Sequence, residues 1–388
     1  MKSNLFLILI YILITTKSYA SENINKEFIE ALKLADNGNL FSAEFRLEML
    51  LLKERTPRIL LELARLEFLQ NKLDESEKHF KEVKVLPNIP IPVLNNIEIY
   101  LNRIKRLKGY FDYSFSLTSE DNPLNFTDET IVRIGLFDFE INPPTKEDNF
   151  YGVEHNIEFS TTQRHKYYVN GFISYADFNG SIVDRFSGLL NFNIKQPIKF
   201  SYLLILSNER YQRNGKEIYQ LNSYELISSP IYKFKSSNVR LGIKLGDLDF
   251  NNTNYNDADL YQLRFILDEV NTKLGRLTTS INLSDMQSVE RPYSNIGQGI
   301  NLGLNGYTFS KKLGYSIKAS FSDKRYKATN PIFSKRRNDE RYSFEVSILP
   351  NWLRVFSRRV SLNLNWDKNH SSIGYFSYDN FGLGVSIN

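Results

Sequence analysis

From Gly109 to Asn388 the chain alternates apolar and polar residues in run after run and shows no helical period. In the last run Phe381, Leu383, Val385 and Ile387 share one face, while Gly382, Gly384 and Ser386 share the other. Val239, Leu241, Ile243 and Leu245 alternate with Arg240, Gly242 and Lys244; Leu313, Tyr315, Ile317, Ala319 and Phe321 alternate with Gly314, Ser316, Lys318 and Ser320. A soluble sandwich also alternates, so length, punctuation and aromatic placement have to decide. The runs reach about ten residues or more, the length a tilted strand needs to cross the hydrocarbon, whereas soluble strands average about five or six. Polar segments of uneven length separate them, among them NPPTKEDN, NGS, QRNGKE, NNTNYND, ERPYSN and ATNPIFSKRRND. Aromatics make up 14% of the chain. Tyr167, Tyr168, Tyr175, Tyr202, Tyr211, Tyr342, Trp366 and Tyr375 sit near run ends, where interfacial girdles are expected. Slipping the run at Val239 by one residue would turn Arg240 and Lys244 toward lipid, at about 2 to 4 kcal/mol each near the midplane, so the register is fixed by cost.

The N-terminus carries Lys2, an apolar run from Leu5 to Ile14 and then Ser18-Tyr19-Ala20, the layout of a signal peptide cut before Ser21. The run is about half of what a membrane-spanning helix requires. A secreted chain whose membrane-compatible segments are alternating strands is expected in a Gram-negative outer membrane. There is no cysteine, hence no disulfide framework, no thiolate chemistry and no lipidation site. Lys+Arg 49 against Asp+Glu 44 leaves a charge of +5, too balanced and too scattered to argue for nucleic acid.

Between Glu22 and Lys108 the period becomes 3.6, predicting helices near 26–37, 41–53, 57–70, 74–85 and 91–107. Ala31, Gly38, Leu40, Ala43, Leu47 and Leu50 are followed 33 residues later by Ala64, Asn71, Leu73, Ser76, Phe80 and Val83. Small residues and a turn at this spacing are what tetratricopeptide-type hairpins need for close helix approach. Two hairpins and a closing helix fall short of the roughly three repeats such arrays need, so this part is expected to lean on the periplasmic mouth of the barrel. The predicted architecture is thus an α+β multidomain chain: signal peptide 1–20, a short tetratricopeptide-like helical domain 21–108, and a transmembrane antiparallel β-barrel 109–388.

Sites of chemistry are few. His79, His155, His165 and His370 show no metal-ligand spacing and read as surface or lumen residues. GLGVS and GINLGLNG lie within strand alternation and open no helix, so they are not phosphate loops. Nothing groups a nucleophile with a base around loop acids such as Asp257 and Asp259; no enzyme activity, metal or cofactor is expected.

Several strings resemble the surface lipoprotein assembly modulator (Slam) family. VLNNIEIYLNRIKR, a strand and then SEDNPLNFT resemble its junction of helix, first strand and D-x-N-x-N-like loop, at Asp121, Asn122 and Asn125. RRNDERYSF and NHSSIGYFSYDNFGLGVSIN resemble its R-x-D-x-x-Y segment and its closing N-x-S-N-I-x-x-Y-x-Y strand pair. The matching residues are Arg337, Asp339, Tyr342, Asn369, Ser371, Ile373, Phe376 and Tyr378, with Ser372 where the family usually has Asn. The resemblance implies a fourteen-stranded barrel that delivers lipoproteins, or a soluble secreted protein, across the outer membrane. About 20 residues per strand and loop over residues 109–388 agree with 14 strands. Outer-membrane lipid and the cargo are the expected partners, with the barrel-assembly machinery and periplasmic chaperones as candidates. The seam between first and last strands, at Phe111, Tyr113, Phe115, Phe381, Gly382 and Gly384, is the expected lateral exit for an acyl anchor, its glycines weakening packing. An exopolysaccharide export porin is the competing function; it also joins periplasmic helical repeats to a barrel, in arrays that tend to be much longer.

Overall fold

Left-handed residues punctuate the helical part at the repeat interval. Gly38 (φ 81°) and Asn71 (φ 64°), 33 residues apart, each end a helix in the conformation that glycine and asparagine tolerate best. The computed structural model describes residues 23–127, 129–141, 150–179, 184–195, 203–213, 216–234, 237–251, 253–272, 274–308, 313–355 and 358–387. The predicted signal peptide and the NPPTKEDN turn at 142–149 lie outside the described residues. The chain divides into two units, one ending at Lys108 and the other beginning at Gly109.

Five helices form the first unit: α1 (23–36), α2 (Leu40–Lys53), α3 (Pro57–Leu69), α4 (Leu73–Val85) and α5 (Ile91–Lys108). Thr56 caps α3 by accepting from the Ile59 amide (3.3 Å), and Pro57 occupies the first turn, where its missing N–H costs nothing. The repeat positions are the core: Ala31, Ala64, Ala43, Ser76, Leu47, Phe80, Leu50 and Val83 are all buried. Ser76 Oγ donates to the Ala64 carbonyl (2.7 Å), so the small polar residue is satisfied where the helices meet. Two buried carboxylates are paired: Glu44 with Lys72 (2.7 Å), and Glu67 with His79 Nδ1 (2.9 Å). His79 is therefore a partner of a core acid, because α3 and α4 pack face to face there, and not a surface or lumen residue. The opposite side of α2 leaves Phe41, Phe45, Met49 and Leu52 exposed, one above another at helical spacing.

The second unit is a closed barrel of fourteen antiparallel strands. They are β1 (Tyr110–Glu120), β2 (Phe150–Ser160), β3 (Tyr167–Phe178), β4 (Arg185–Lys195), β5 (Leu203–Arg213), β6 (Lys216–Ile227), β7 (Ser237–Phe250), β8 (Ala258–Asn271), β9 (Arg276–Ser288), β10 (Asn295–Tyr307), β11 (Leu313–Asn330), β12 (Lys335–Pro350), β13 (Arg358–Ser371) and β14 (Tyr378–Ile387). Each pairs with its chain neighbours, and β1 pairs with β14 to close the ring. β1 begins and β14 ends at the same end, the terminal end; the β1–β2, β3–β4 and β13–β14 connections lie at the other, the far end. A hairpin of Ile131–Ile134 and Phe137–Glu140, turning at Gly135 (φ 63°), sits in the β1–β2 connection.

Alternation fixes what each face meets. Leu117, Leu245, Leu283, Leu302, Leu362, Leu383 and Val385 are all exposed on the outside, while Ser116, Ser223, Asn380 and Ser386 are buried inside. A continuous apolar exterior of this extent is at home only against hydrocarbon. Among the described residues no helix is long and apolar enough to span a membrane. Toward the far end the outward residues turn acidic, strand by strand: Asp379 follows Phe381, Asp247 follows Leu245, Asp285 follows Leu283 and Asp323 follows Phe321. Tyr167, Tyr175 and Tyr342 face outward as a girdle requires. Tyr168 and Tyr211 do not: the first is buried beneath the Lys195 ammonium (5.0 Å) and the second stacks on Tyr219 inside the barrel (5.7 Å). Nearness to a strand end does not determine parity; the pleat does.

Candidate functional site: the lumen and its clasp

At its far end β1 delivers Glu120 to the lumen, and the chain then folds across the opening instead of away from it. Asn122 closes this turn: its Oδ1 accepts from the Phe126 amide (2.9 Å), and its Nδ2 donates to the carbonyls of Phe126 (2.9 Å) and Asp379 (3.1 Å). Asp121 accepts from the Phe381 amide (2.7 Å), and the Asn122 amide donates to Asn380 Oδ1 (3.2 Å), so both residues staple β1 to β14. Asn125 adopts φ 53°, which asparagine tolerates, and its Oδ1 is buried without a hydrogen-bond partner. The segment is held from β4 and β5, three and four strands along the ring, by two arginines. Arg185 on β4 donates to the Pro123 carbonyl (3.2 Å) and Arg213 on β5 to the Leu124 carbonyl (3.0 Å). Leu124 packs against Ala176, Phe178 and Phe150. Glu120 is 5% exposed, pairs with Arg185 (2.7 Å) and accepts from Asn380 (3.0 Å).

The β13–β14 connection completes the clasp. Thr127 Oγ1 donates to the Gly374 carbonyl (3.0 Å), and Asn369 Nδ2 to the Phe376 carbonyl (2.6 Å). Ser371 Oγ accepts from the Ile373 amide (3.3 Å), and Ile373 is buried. Ser372 donates its backbone N–H to the Asn338 carbonyl and accepts from the Asn338 amide, both at 2.8 Å, so the shorter hydroxyl fastens this turn to β12. Arg337 pairs with Asp339 through two nitrogens (2.9 and 2.6 Å) and lies over the rings of Phe376 (3.6 Å) and Tyr326 (4.8 Å). One step further in, Arg341 pairs with Asp367 (2.8 and 2.6 Å), which also accepts from the Tyr378 hydroxyl (3.3 Å).

Nine of the sequence-predicted motif residues thus converge at the far end of β1, β12, β13 and β14: Asp121, Asn122, Asn125, Arg337, Asp339, Asn369, Ser371, Ile373 and Tyr378. Tyr342 does not join them, because the pleat turns it outward onto Phe321 (5.1 Å). Sequence reasoning missed Glu120, Arg185, Arg213, Arg341 and Asp367. Parity could have put Glu120 on the wet face with Ser116, but its partner Arg185 lies three barrel strands along, out of reach of any local pattern.

The seam needs correction. β1 and β14 are in register from Phe115, opposite Ile387, to Glu120, opposite Gly382, six pairs against eleven between β1 and β2. Phe111 and Tyr113 lie toward the terminal end of this ladder, with no β14 partner in its register; the Tyr113 carbonyl instead accepts from Arg358 (3.2 Å) and its hydroxyl meets His155 Nδ1 (2.8 Å). His155, opposite Phe115, therefore faces outward and not the lumen. Gly382 does not loosen the seam either. It is buried, and the Asn365 carboxamide fills the space a Cβ would occupy, so glycine there allows a close approach.

Two concavities lie on the barrel wall. Inside, a cavity of about 580 Å³ is lined by Arg264, Thr278, Ser280, Asn301, Lys318 and Ser343 among others. Outside, a groove of about 610 Å³ runs over Ile243, Tyr261, Leu283 and Ile296 to Gln298 and Asp323. Among the described residues no three His, Cys, Asp or Glu side chains are grouped to hold a metal.

Closure, an apolar outer band and a polar interior define the class: a porin-like barrel of the bacterial outer-membrane type. Residues 291–388 match a family described as "Protein of unknown function (DUF2860)", a stretch that contains Arg337 to Tyr378. No curated protein matches the chain. Among solved structures it is similar to OmpT, an outer membrane protein of Vibrio cholerae (8% identity, TM-score 0.33, covering 72% of this chain and 97% of that one). It is also similar to OpdL of Pseudomonas aeruginosa (8%, 0.36, 72% and 98%) and to Omp33 of Acinetobacter baumannii (9%, 0.35, 73% and 99%).

Proposed function

We propose that this chain is an outer-membrane translocator that delivers a lipoprotein or a soluble protein to the cell surface, with its helical unit in the periplasm. The observation that carries this reading is the pairing of a polar lumen with a helical unit whose α2 leaves Phe41, Phe45, Met49 and Leu52 exposed. A diffusion pore needs no such ridge, whereas an unfolded or lipidated passenger offers apolar segments for it to hold. Deleting residues 22–107 leaves a barrel that runs faster on gels when unheated and abolishes surface display; display that survived the deletion would remove the helical unit from the pathway.

An acyl anchor fits this lumen poorly. Each methylene is worth about 0.8 kcal/mol in an apolar environment, and the inward residues Ser116, Asn363, Asn365 and Ser386 offer none. The seam provides a side exit. Ser116 and Ser386 face each other there with hydroxyl oxygens 2.7 Å apart, so S116C/S386C is the disulfide to make. Oxidation of that pair stops display of a lipidated cargo, and reduction restores it; export through a verified crosslink assigns the passenger to the lumen alone.

The polysaccharide reading draws on the hydroxyl and amide lining of the inner cavity, from Thr278, Ser280 and Asn301, which suits sugar hydroxyls. Loss of an exported polysaccharide, with surface proteins intact, on disruption of the gene would favour it.

A further inference from the structure

Arg185 touches both ends of the clasp. Its Nη2 donates to Glu120 Oε1 (2.7 Å) and its Nη1 to Glu120 Oε2 (3.3 Å), at the last residue of β1. The same Nη1 donates to the Pro123 carbonyl (3.2 Å), at the tip of a tight turn that the Asn125 amide closes on the Asn122 carbonyl (3.0 Å). Between these two contacts the path runs through the seam. Glu120 Oε2 accepts from Asn380 Nδ2 (3.0 Å), Asn380 Oδ1 accepts from the Asn122 amide (3.2 Å), and Asn122 carries the chain on to Pro123. The contacts therefore form a ring, from Arg185 to Glu120, Asn380, Asn122, Pro123 and back, with members on β4, β1, β14 and the turn. Arg185 is itself seated on the Phe178 ring (4.9 Å). Arg213 gives the tip a second hold at the Leu124 carbonyl (3.0 Å) and stands outside the ring.

The ring sits where the seam has most need of it. The β1–β14 ladder has six register pairs and ends at Glu120 opposite Gly382; beyond that point side chains continue it, from the Phe381 amide to Asp121 (2.7 Å) and from Asn122 to the Asp379 carbonyl (3.1 Å). Glu120 is buried, and a buried carboxylate keeps its place only while its cation and hydrogen bonds remain. Polar groups tied together away from water are made or broken as a unit, because losing one member leaves the others unsatisfied.

We infer that Arg185 is a latch that holds two openings shut at once, the far mouth under the turn 122–125 and the far end of the β1–β14 seam. When Arg185 leaves, Glu120 loses its cation, the Asn380 staples go with it, and the seam is left with its short ladder. The tip is held by main-chain carbonyls, an acceptor that any polypeptide in the lumen also presents, so a passenger competes for Arg185 and Arg213 and trips the latch as it arrives. The latch stands on this geometry; its tripping by a passenger rests on the translocator reading above.

The test is amide hydrogen exchange on the full chain refolded in lipid nanodiscs, read by mass spectrometry, with single-channel conductance beside it. E120L/R185M replaces the pair by apolar side chains and strands no charge. Peptides covering 110–120 and 378–387 then exchange several-fold faster, those covering 335–350 hold the native rate, and conductance rises. R213M frees the tip alone, so it raises conductance with β1 and β14 at the native rate. R185K, which keeps a cation beside Glu120, stays closer to the native rate than E120L/R185M. If E120L/R185M fails to refold, N380A cuts the ring at the seam and is read in the same way. Native exchange in both seam strands overturns the inference, as does a rise that extends equally to 335–350. Seam exchange that rises as much in R213M places the hold in the turn tip and overturns the assignment to Arg185. A seam that loosens as expected, in a barrel whose loss leaves surface display intact, defeats the translocator reading alone. Display by a chain whose seam keeps its native rates in E120L/R185M defeats this inference alone.

Discussion

The two units place their apolar residues in opposite directions. In the helical unit Leu47, Leu50, Leu60 and Leu63 are 0–1% exposed, and the buried acids Glu44 and Glu67 are paired; in the barrel Leu117 and Leu383 are more than half exposed, and Ser116 and Asn380 lie inside. The first arrangement answers to water, the second to hydrocarbon outside and water within. The helical unit is consequently held by packing, and a single methyl matters to it. The barrel is held by a closed ladder in which every strand has two partners, and what matters is which face a side chain is on.

That contrast is broken most directly at the helical core. Leu63, 1% exposed between α3 and its neighbours, is replaced by alanine at a cost of about 2 to 5 kcal/mol, transfer and cavity together. Loss of helical circular dichroism on heating then comes at a lower temperature, while the heat-modified gel shift of the barrel is unchanged. An equal loss in the barrel would show that the units do not hold themselves up separately. In the barrel the sensitive change is one of face. Leu383→Arg puts a charge on the lipid side at about 2 to 4 kcal/mol near the midplane, whereas Ser347→Arg, one pleat from the lipid-facing Ile348, costs close to nothing. Refolding yields into lipid vesicles separate the two; equal yields would deny that the outer band meets hydrocarbon.

The same parity explains what the sequence could tell. A period of two over Val239–Leu245 or Phe381–Ile387 is local and survives any arrangement of neighbours, so fold class and facing were readable, whereas the count of fourteen strands came from the resemblance and the chain length per strand. The helical repeat was readable for a similar reason: Ala31 and Ala64, or Gly38 and Asn71, answer to contacts within one hairpin. The clasp was readable only by resemblance. Arg185 and Arg213 donate to backbone carbonyls at Pro123 and Leu124, acceptors that every residue has, so no side-chain pattern marks the contact. The extent of the seam was hidden too, since nothing local distinguishes Phe111, beyond the ladder, from Phe115 within it.

The smallest effect separates the units by pH. In the helical unit, hydrogen bonds from Lys108 and then Lys81 hold the Glu77 carboxyl below its ordinary value of 4.5, and a hydrogen bond from Arg55 does the same for Glu82. A carboxyl whose folded value is depressed contributes stability that is fully present above its unfolded value and is lost as pH falls through the folded one. The window is therefore below about pH 4.5, and nothing from these groups is lost between neutrality and that point. Both side chains are more than a quarter exposed, so solvent screening keeps each contribution under about 1 kcal/mol. Thermal unfolding followed by helical circular dichroism moves down by a few degrees between pH 5 and pH 3, and E77Q/E82Q flattens that slope by removing the titrating groups. The glutamine variant also begins lower at pH 7, because it has lost the pairs that the acid protonates. An unchanged slope in E77Q/E82Q would move the acid sensitivity to other carboxylates.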